Sequence, residues 1–179
     1  MNKLALDCIE RVYIKKDYNY FKERSKQLPF YLSTLVDLIN KMCKSVITYN
    51  TEDDPAVEIW IEFESFVENT LWIQYKTIIK ISKIADIFVF QHEFSVNDID
   101  PNRMTPTLDG FSEEPYVFSQ YELEKAVSDF LHNKNLQKLQ LAEMDEVIFN
   151  MEIPENNIFG KQMTLENALF RDLFGICES

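Results

Sequence analysis

Glycine is scarce in this chain: 179 residues contain three, the isolated Gly110, Gly160 and Gly175. Phosphate cradles need several close together, so that backbone N–H groups can approach the ligand. P-loop and dinucleotide fingerprints are therefore excluded. Histidine is scarcer still, with two. His92-Glu93 looks like the start of a zinc-protease helix, but Val96 stands where the second histidine belongs. Asn97-Asp98-Ile99-Asp100 resembles a calcium loop only loosely, without its glycine or terminal glutamate. The three cysteines, Cys8, Cys43 and Cys177, are far apart and form no CxxC pair. They read as buried reduced thiols rather than ligands or nucleophiles.

Other absences narrow the class. No run approaches the roughly 18 apolar residues of a membrane span. Met1–Asp7 lacks the apolar core of a signal peptide, and no Asn-x-Ser/Thr sequon occurs. The expectation is a protein of the reducing cytoplasm. GxSxG is missing, and no local signature surrounds any cysteine. The carboxylate pairs Asp53-Asp54, Glu113-Glu114 and Asp145-Glu146 read as solvated in so acidic a chain. No catalytic residue, metal or cofactor is assigned, and the chain is expected not to be an enzyme. A site assembled from distant residues stays open as an alternative.

What is present is core material and negative charge. Hydrophobic residues make up 46%, with fourteen Phe. A single domain of this length buries roughly 70% of its unfolded surface and needs no disulfide or metal. The net charge of −12 is unevenly spread. Residues 1–50 carry nine Lys/Arg against five Asp/Glu; residues 51–179 carry nine against twenty-five. Such a surface repels nucleic acid and anionic lipid and steers cationic partners.

Periodicity predicts the elements. Residues 3–27 read as helix, with Leu4, Cys8, Ile9 and Val12 on one face. Residues 30–48 follow i, i+3, i+4 spacing, and with Pro29 between them the two helices predict an N-terminal hairpin. Residues 54–69 fit both periods; Asp54-Pro55 looks like a helix start and tips the reading to helix. Residues 71–81 and 86–96 alternate as strands joined at 82–85. Residues 97–114 read as a long loop, and 115–118 as a short strand. Ser119–Glu122 has capping-box spacing and opens a helix to His132. A strand near Val147–Met151 and a helix over 165–174, capped by Thr164 and closed near Gly175, complete the chain. The expected class is α+β: an N-terminal helical hairpin, a small antiparallel sheet and C-terminal helices, all in one domain over 1–179.

The acidic segments carry the functional signal. Residues 52–68 hold seven acids and no Lys or Arg. The loop after the second strand adds Asp98, Asp100, Asp109, Glu113 and Glu114 against Arg103, with Phe111, Tyr116 and Phe118 among them. Residues 143–155 add Glu143, Asp145, Glu146, Glu152 and Glu155. Acids steer a basic partner and rings anchor it. The candidate partner-binding residues are Asp98, Asp100, Asp109, Phe111, Glu113, Glu114 and Tyr116.

The paired strands WIQYKTIIKISKIADIFVFQHEF (72–94), the acidic loop after them and the closing TLENALFRDLFG (164–175) resemble the immunity proteins of bacterial toxin systems. The resemblance implies no enzymatic activity and one-to-one pairing with a toxin domain, often a nuclease, in the bacterial cytoplasm. The expected partner is thus a protein with a basic surface, with no nucleic acid or membrane bound. The alternative is an adaptor or chaperone that docks through the N-terminal helices.

Overall fold

A computed structural model describes residues 2–49, 54–100, 102, 108–153 and 161–177. Within these, the chain is α+β with a mostly antiparallel sheet. The strands are β1 (Ser45–Tyr49), β2 (Ala56–Glu62), β3 (Phe66–Glu68), β4 (Leu71–Ser82), β5 (Ile87–Asp98), β6 (Leu108–Ser112), β7 (Gln137–Lys138), β8 (Val147–Glu152) and β9 (Gln162–Thr164). The helices are α1 (Lys3–Ile9), α2 (Tyr18–Lys26), α3 (Leu32–Ile39), α4 (Phe118–His132) and α5 (Leu165–Phe170). The main sheet runs β1-β2-β4-β5-β6; β3 adds to β4, and β7 adds parallel to β5. β8 and β9 form a separate pair.

The β4–β5 hairpin is the spine. Ile79 faces Phe90 and Ile81 faces Phe88, in the predicted alternation. β3 turns into β4 through Asn69-Thr70, where Asn69 takes φ of 56°, a conformation that asparagine tolerates better than most side chains.

Each face of the sheet carries a core. On the inner face, Val57, Ile59, Ile61, Ile79, Ile81, Phe88 and Phe90 meet Leu35 and Ile39 of α3 and Leu123, Val127 and Leu131 of α4. On the outer face, Ala56, Ile87 and Val89 meet Ala5, Cys8, Ile9, Val12 and Phe21 from the N-terminal segment, with Leu165, Ala168 and Leu169 around α5. The second core covers one end of the outer face; beyond it Ile47, Trp60 and Phe111 are exposed.

Several expectations are corrected. Residues 54–69 do not form a helix. β2 is a central strand between β1 and β4, and pairing on both edges overrides the Asp54-Pro55 start signal. Ile59 is fully buried while its neighbour Trp60 is 39% exposed, the alternation of a strand. The segment 3–27 breaks at Lys16, which takes φ of 57°; a π-helical turn over Glu10–Ile14 precedes the break. Asp17 then caps α2, accepting the Tyr20 N–H. The segment 30–48 stops being helical at Ile39, and Val46 enters the inner core from β1. α1 and α2 pack on the outer core and α3 on the inner one, so the hairpin pairing is not formed.

The predicted loop 97–114 contains β6, which pairs with β5 from Val96↔Leu108 to His92↔Ser112. The predicted strand 115–118 is absent: extended Val117 is the N-cap of α4, and Phe118 is already helical. Ser119 therefore caps nothing. Gln120 instead reaches back, its Oε1 accepting the Tyr116 N–H at 2.9 Å. Thr164 caps α5 as expected, accepting the Asn167 N–H, but that helix ends at Phe170. Glu52, Asp53, Arg103, Glu155 and Gly160 lie outside the described residues.

Candidate functional site

The uncovered part of the outer sheet face is built by register. Ser45, Glu62, Lys76, Glu93 and Phe111 align as one row across β1, β2, β4, β5 and β6. Ile47, Trp60, Ile78 and Gln91 form the next, with Ile78 buried among its neighbours, and Tyr49, Glu58, Lys80 and Val89 the one after, whose Val89 end lies under the outer core. Asp109, opposite Ser95, extends the face along β6. The face thus carries rings and acids side by side: Tyr49, Trp60 and Phe111 with Glu58, Glu62, Glu93 and Asp109.

Two hollows mark its borders. A groove of about 340 Å³ runs along β5 and β6, lined by Gln74, Lys76, Glu93, Phe94, Ser95, Asp109, Gly110 and Phe111. A hollow of about 460 Å³ lies at the β1–β2 side, lined by Tyr49, Asp54, Ala56, Glu58, Trp60, Phe170 and Arg171. The Tyr49 and Trp60 rings meet edge-on, centroids 5.4 Å apart. The Trp60 indole N–H donates to Glu58 Oε2 at 3.1 Å.

The lysines of the face only partly offset its acids. Lys76 Nζ lies 3.3 Å from Glu62 Oε1. Lys80 Nζ lies 2.6 Å from Glu166 Oε1 but 3.9 Å from Glu58 Oε1, so its charge is directed mainly at Glu166. Burial would raise the Glu166 carboxyl; the Lys80 hydrogen bond and charge, with Arg171, outweigh it and lower its pKa. Gln91 Nε2 donates to Glu93 Oε1 at 2.6 Å. From the inner side, the fully buried Gln120 donates to the backbone carbonyls of Lys76 at 2.7 Å and Glu93 at 3.3 Å. Helix α4 thereby fixes the backbone beneath the central row.

The sequence-predicted residues are dispersed. Asp109 and Phe111 share the open face, and Phe111 is 68% exposed. Asp98 and Asp100 sit at the end of β5, where each carboxylate accepts a backbone N–H two residues on. Glu113 turns inward: it takes the Leu141 N–H at 3.0 Å and lies 3.4 Å from Lys138 Nζ. Glu114 is exposed beyond β6, its N–H donating to Ser112 Oγ. The Tyr116 ring packs edge-on against Phe94 at 4.8 Å. Tyr49, Trp60, Glu58, Glu62 and Glu93 were missed as a group. The period-two alternation of 57–63 was the signal that would have found three of them.

One buried constellation has the elements of nucleophilic catalysis. Thr77 Oγ1 lies 2.9 Å from His92 Nδ1, and His92 Nε2 lies 3.1 Å from Glu124 Oε2. Hydroxyl, imidazole and carboxylate follow the nucleophile–base–orienter order. Thr77 and His92 are both wholly buried, which denies substrate an approach to the hydroxyl in this conformation. Lys138 Nζ donates to Glu124 Oε1 at 2.8 Å, so the chain of contacts ties β4, β5, α4 and β7 together. Among the described residues no group of three or more His, Cys, Asp or Glu could hold a metal ion, and no helix is long and apolar enough to cross a membrane.

In comparison with known proteins, no family model matches this chain, and neither a curated protein nor a solved structure is significantly similar to it.

Proposed function

We propose that this chain is a non-enzymatic binding protein: a bacterial immunity protein that neutralises a cognate toxin domain in the cytoplasm by laying its acidic sheet face on a basic surface. The observation that supports this reading most is the open outer face. There Glu58, Glu62, Glu93 and Asp109 frame Tyr49, Trp60 and Phe111 on one rigid sheet. Rings supply contact area at small entropic cost, and flanking carboxylates raise the encounter rate with a cation-rich partner. A nuclease cleft is basic because it must hold phosphates, and a face of this kind occupies it without chemistry. The site is a sheet face rather than the loop 97–114, from which it keeps Asp109 and Phe111.

The test is co-expression with the toxin domain encoded beside the gene. Growth should be restored by the wild-type chain and lost with the pair Glu62→Gln and Glu93→Gln. Rescue by that double variant at wild-type level would overturn the sheet-face reading.

The adaptor alternative needs the N-terminal helices as a docking surface. Ala5, Cys8, Val12 and Phe21 are buried in the outer core, while Leu6, Ile14 and Tyr18 of the same segment stay exposed. Deleting residues 1–28 would open that core, so loss of binding in the deletion would not discriminate.

A further inference from the structure

We infer that the hollow beside Tyr49, Trp60 and Glu58 is a receptor for one arginine side chain. The inference rests on the docking reading above, in which a basic partner supplies that arginine. At about 460 Å³ the hollow exceeds the space of a few waters, each about 30 Å³. Trp60 and Tyr49 stand edge-on at 5.4 Å, 39% and 49% exposed, and offer ring surface to a cation. Phe170, nearly buried, also lines the hollow.

Glu58 supplies the charge. Its Oε2 accepts the Trp60 indole N–H, which holds the carboxylate beside the ring. Lys80 Nζ lies 3.9 Å from Glu58 Oε1 and is bound more tightly, at 2.6 Å, by Glu166. Arg171, also on the hollow, contacts that same Glu166 at 3.4 Å. Lys80 is thus directed mainly at Glu166, and Glu58, whose Oε2 takes one indole N–H, keeps acceptor capacity toward the hollow. An arginine suits this better than a lysine. Its planar guanidinium stacks on a ring while its fork of N–H donors meets a carboxylate.

The test is titration of the full-length protein with Nα-acetyl-arginine N-methylamide, read at the indole N–H resonances of Trp60 and Trp72. The Trp60 signal should shift saturably at millimolar ligand, with Trp72 unmoved. The uncharged citrulline counterpart should bind at least about fivefold more weakly, and so should the arginine probe on Glu58→Gln. Unchanged amide dispersion and an unchanged Trp72 signal show that the variant is folded. No saturable shift, an equal response to citrulline, or undiminished binding by Glu58→Gln would each overturn the inference. The titration needs no partner. Its failure alongside lost rescue by the Glu62/Glu93 variant removes the receptor alone and leaves the docking reading standing.

Discussion

His92 Nε2 and Glu124 Oε2 lie 3.1 Å apart, joining strand β5 to helix α4 inside the inner layer. Burial would raise the Glu124 carboxyl. Hydrogen bonds from His92 and Lys138, with the Lys138 charge, outweigh it and hold the pKa below the ordinary 4.5. A carboxyl lowered on folding stabilises the native state above its unfolded value, and that contribution is lost as pH falls through the folded one. Glu124→Gln is expected to destabilise by about 1–3 kcal/mol at neutral pH. Its deficit should begin to shrink as pH falls below about 4.5, the ordinary value, and vanish below the lower folded pKa, where native wild type also loses the charge. Urea unfolding across this range measures both, and a deficit independent of pH would rule out the charge as its source.

The strand assignment of 56–62 predicts opposite behaviour for adjacent residues. Ile59 is fully buried on the inner face, whereas Trp60 stands partly exposed on the outer one. Ile59→Ala should cost about 2–5 kcal/mol, because it leaves a cavity between two helices and the sheet. Trp60→Ala should cost less in stability and more in partner affinity, by about 2 kcal/mol or more. Chemical denaturation beside a binding isotherm separates the two; equal stability losses would contradict the two-faced strand.

Neutralising Glu62 and Glu93 together should change association rather than folding. The exposed Lys76–Glu62 pair at 3.3 Å is worth about 0–1 kcal/mol. With Glu62→Gln and Glu93→Gln, partner association at low salt should slow about fivefold, and the difference should fade near molar salt. Stopped-flow mixing at two ionic strengths reads this directly. Rates insensitive to both salt and substitution would sink electrostatic capture.

Cys8 should be chemically silent in the native protein. Its thiol is buried and donates to the Ile84 carbonyl at 3.5 Å. Burial pushes it up to about 12, against the opposing pull of Arg11 and Arg24. Alkylation at about pH 8, followed by mass spectrometry, should label Cys8 only after denaturant is added. Fast native labelling would mean that α1 opens readily.

Gly110 is needed for space. A Cβ there would meet Phe94 Cε1 at 2.8 Å, and the same ring is packed by Tyr116. Gly110→Ala should cost about 1–3 kcal/mol by displacing that ring. The displacement should appear as shifted Phe94 and Tyr116 ring resonances; an unshifted pair with full stability would show that the ring yields freely.

The sequence alone determined the elements whose signal is local and long. β4, β5 and α4 each run a dozen residues or more, enough for one period to dominate, and the Thr164 cap is written in neighbouring residues. It also determined the total charge and the lack of glycine-rich and metal-binding motifs. Tertiary structure decided the short strands. β1, β2 and β6 have five to seven residues each, and within so few positions helical and strand periods overlap. Their conformation is settled by pairing with β4 and β5, a contact between residues distant in the chain. The same pairing decided the site. Counting acids located negative charge in residues 51–179, but only strand register sets Glu62, Glu93 and Phe111 in one row. It is packing that turns Glu113 inward to Lys138 and the Leu141 N–H. A residue's exposure depends on what covers it, and the covering elements are brought there by the fold rather than by the chain on either side.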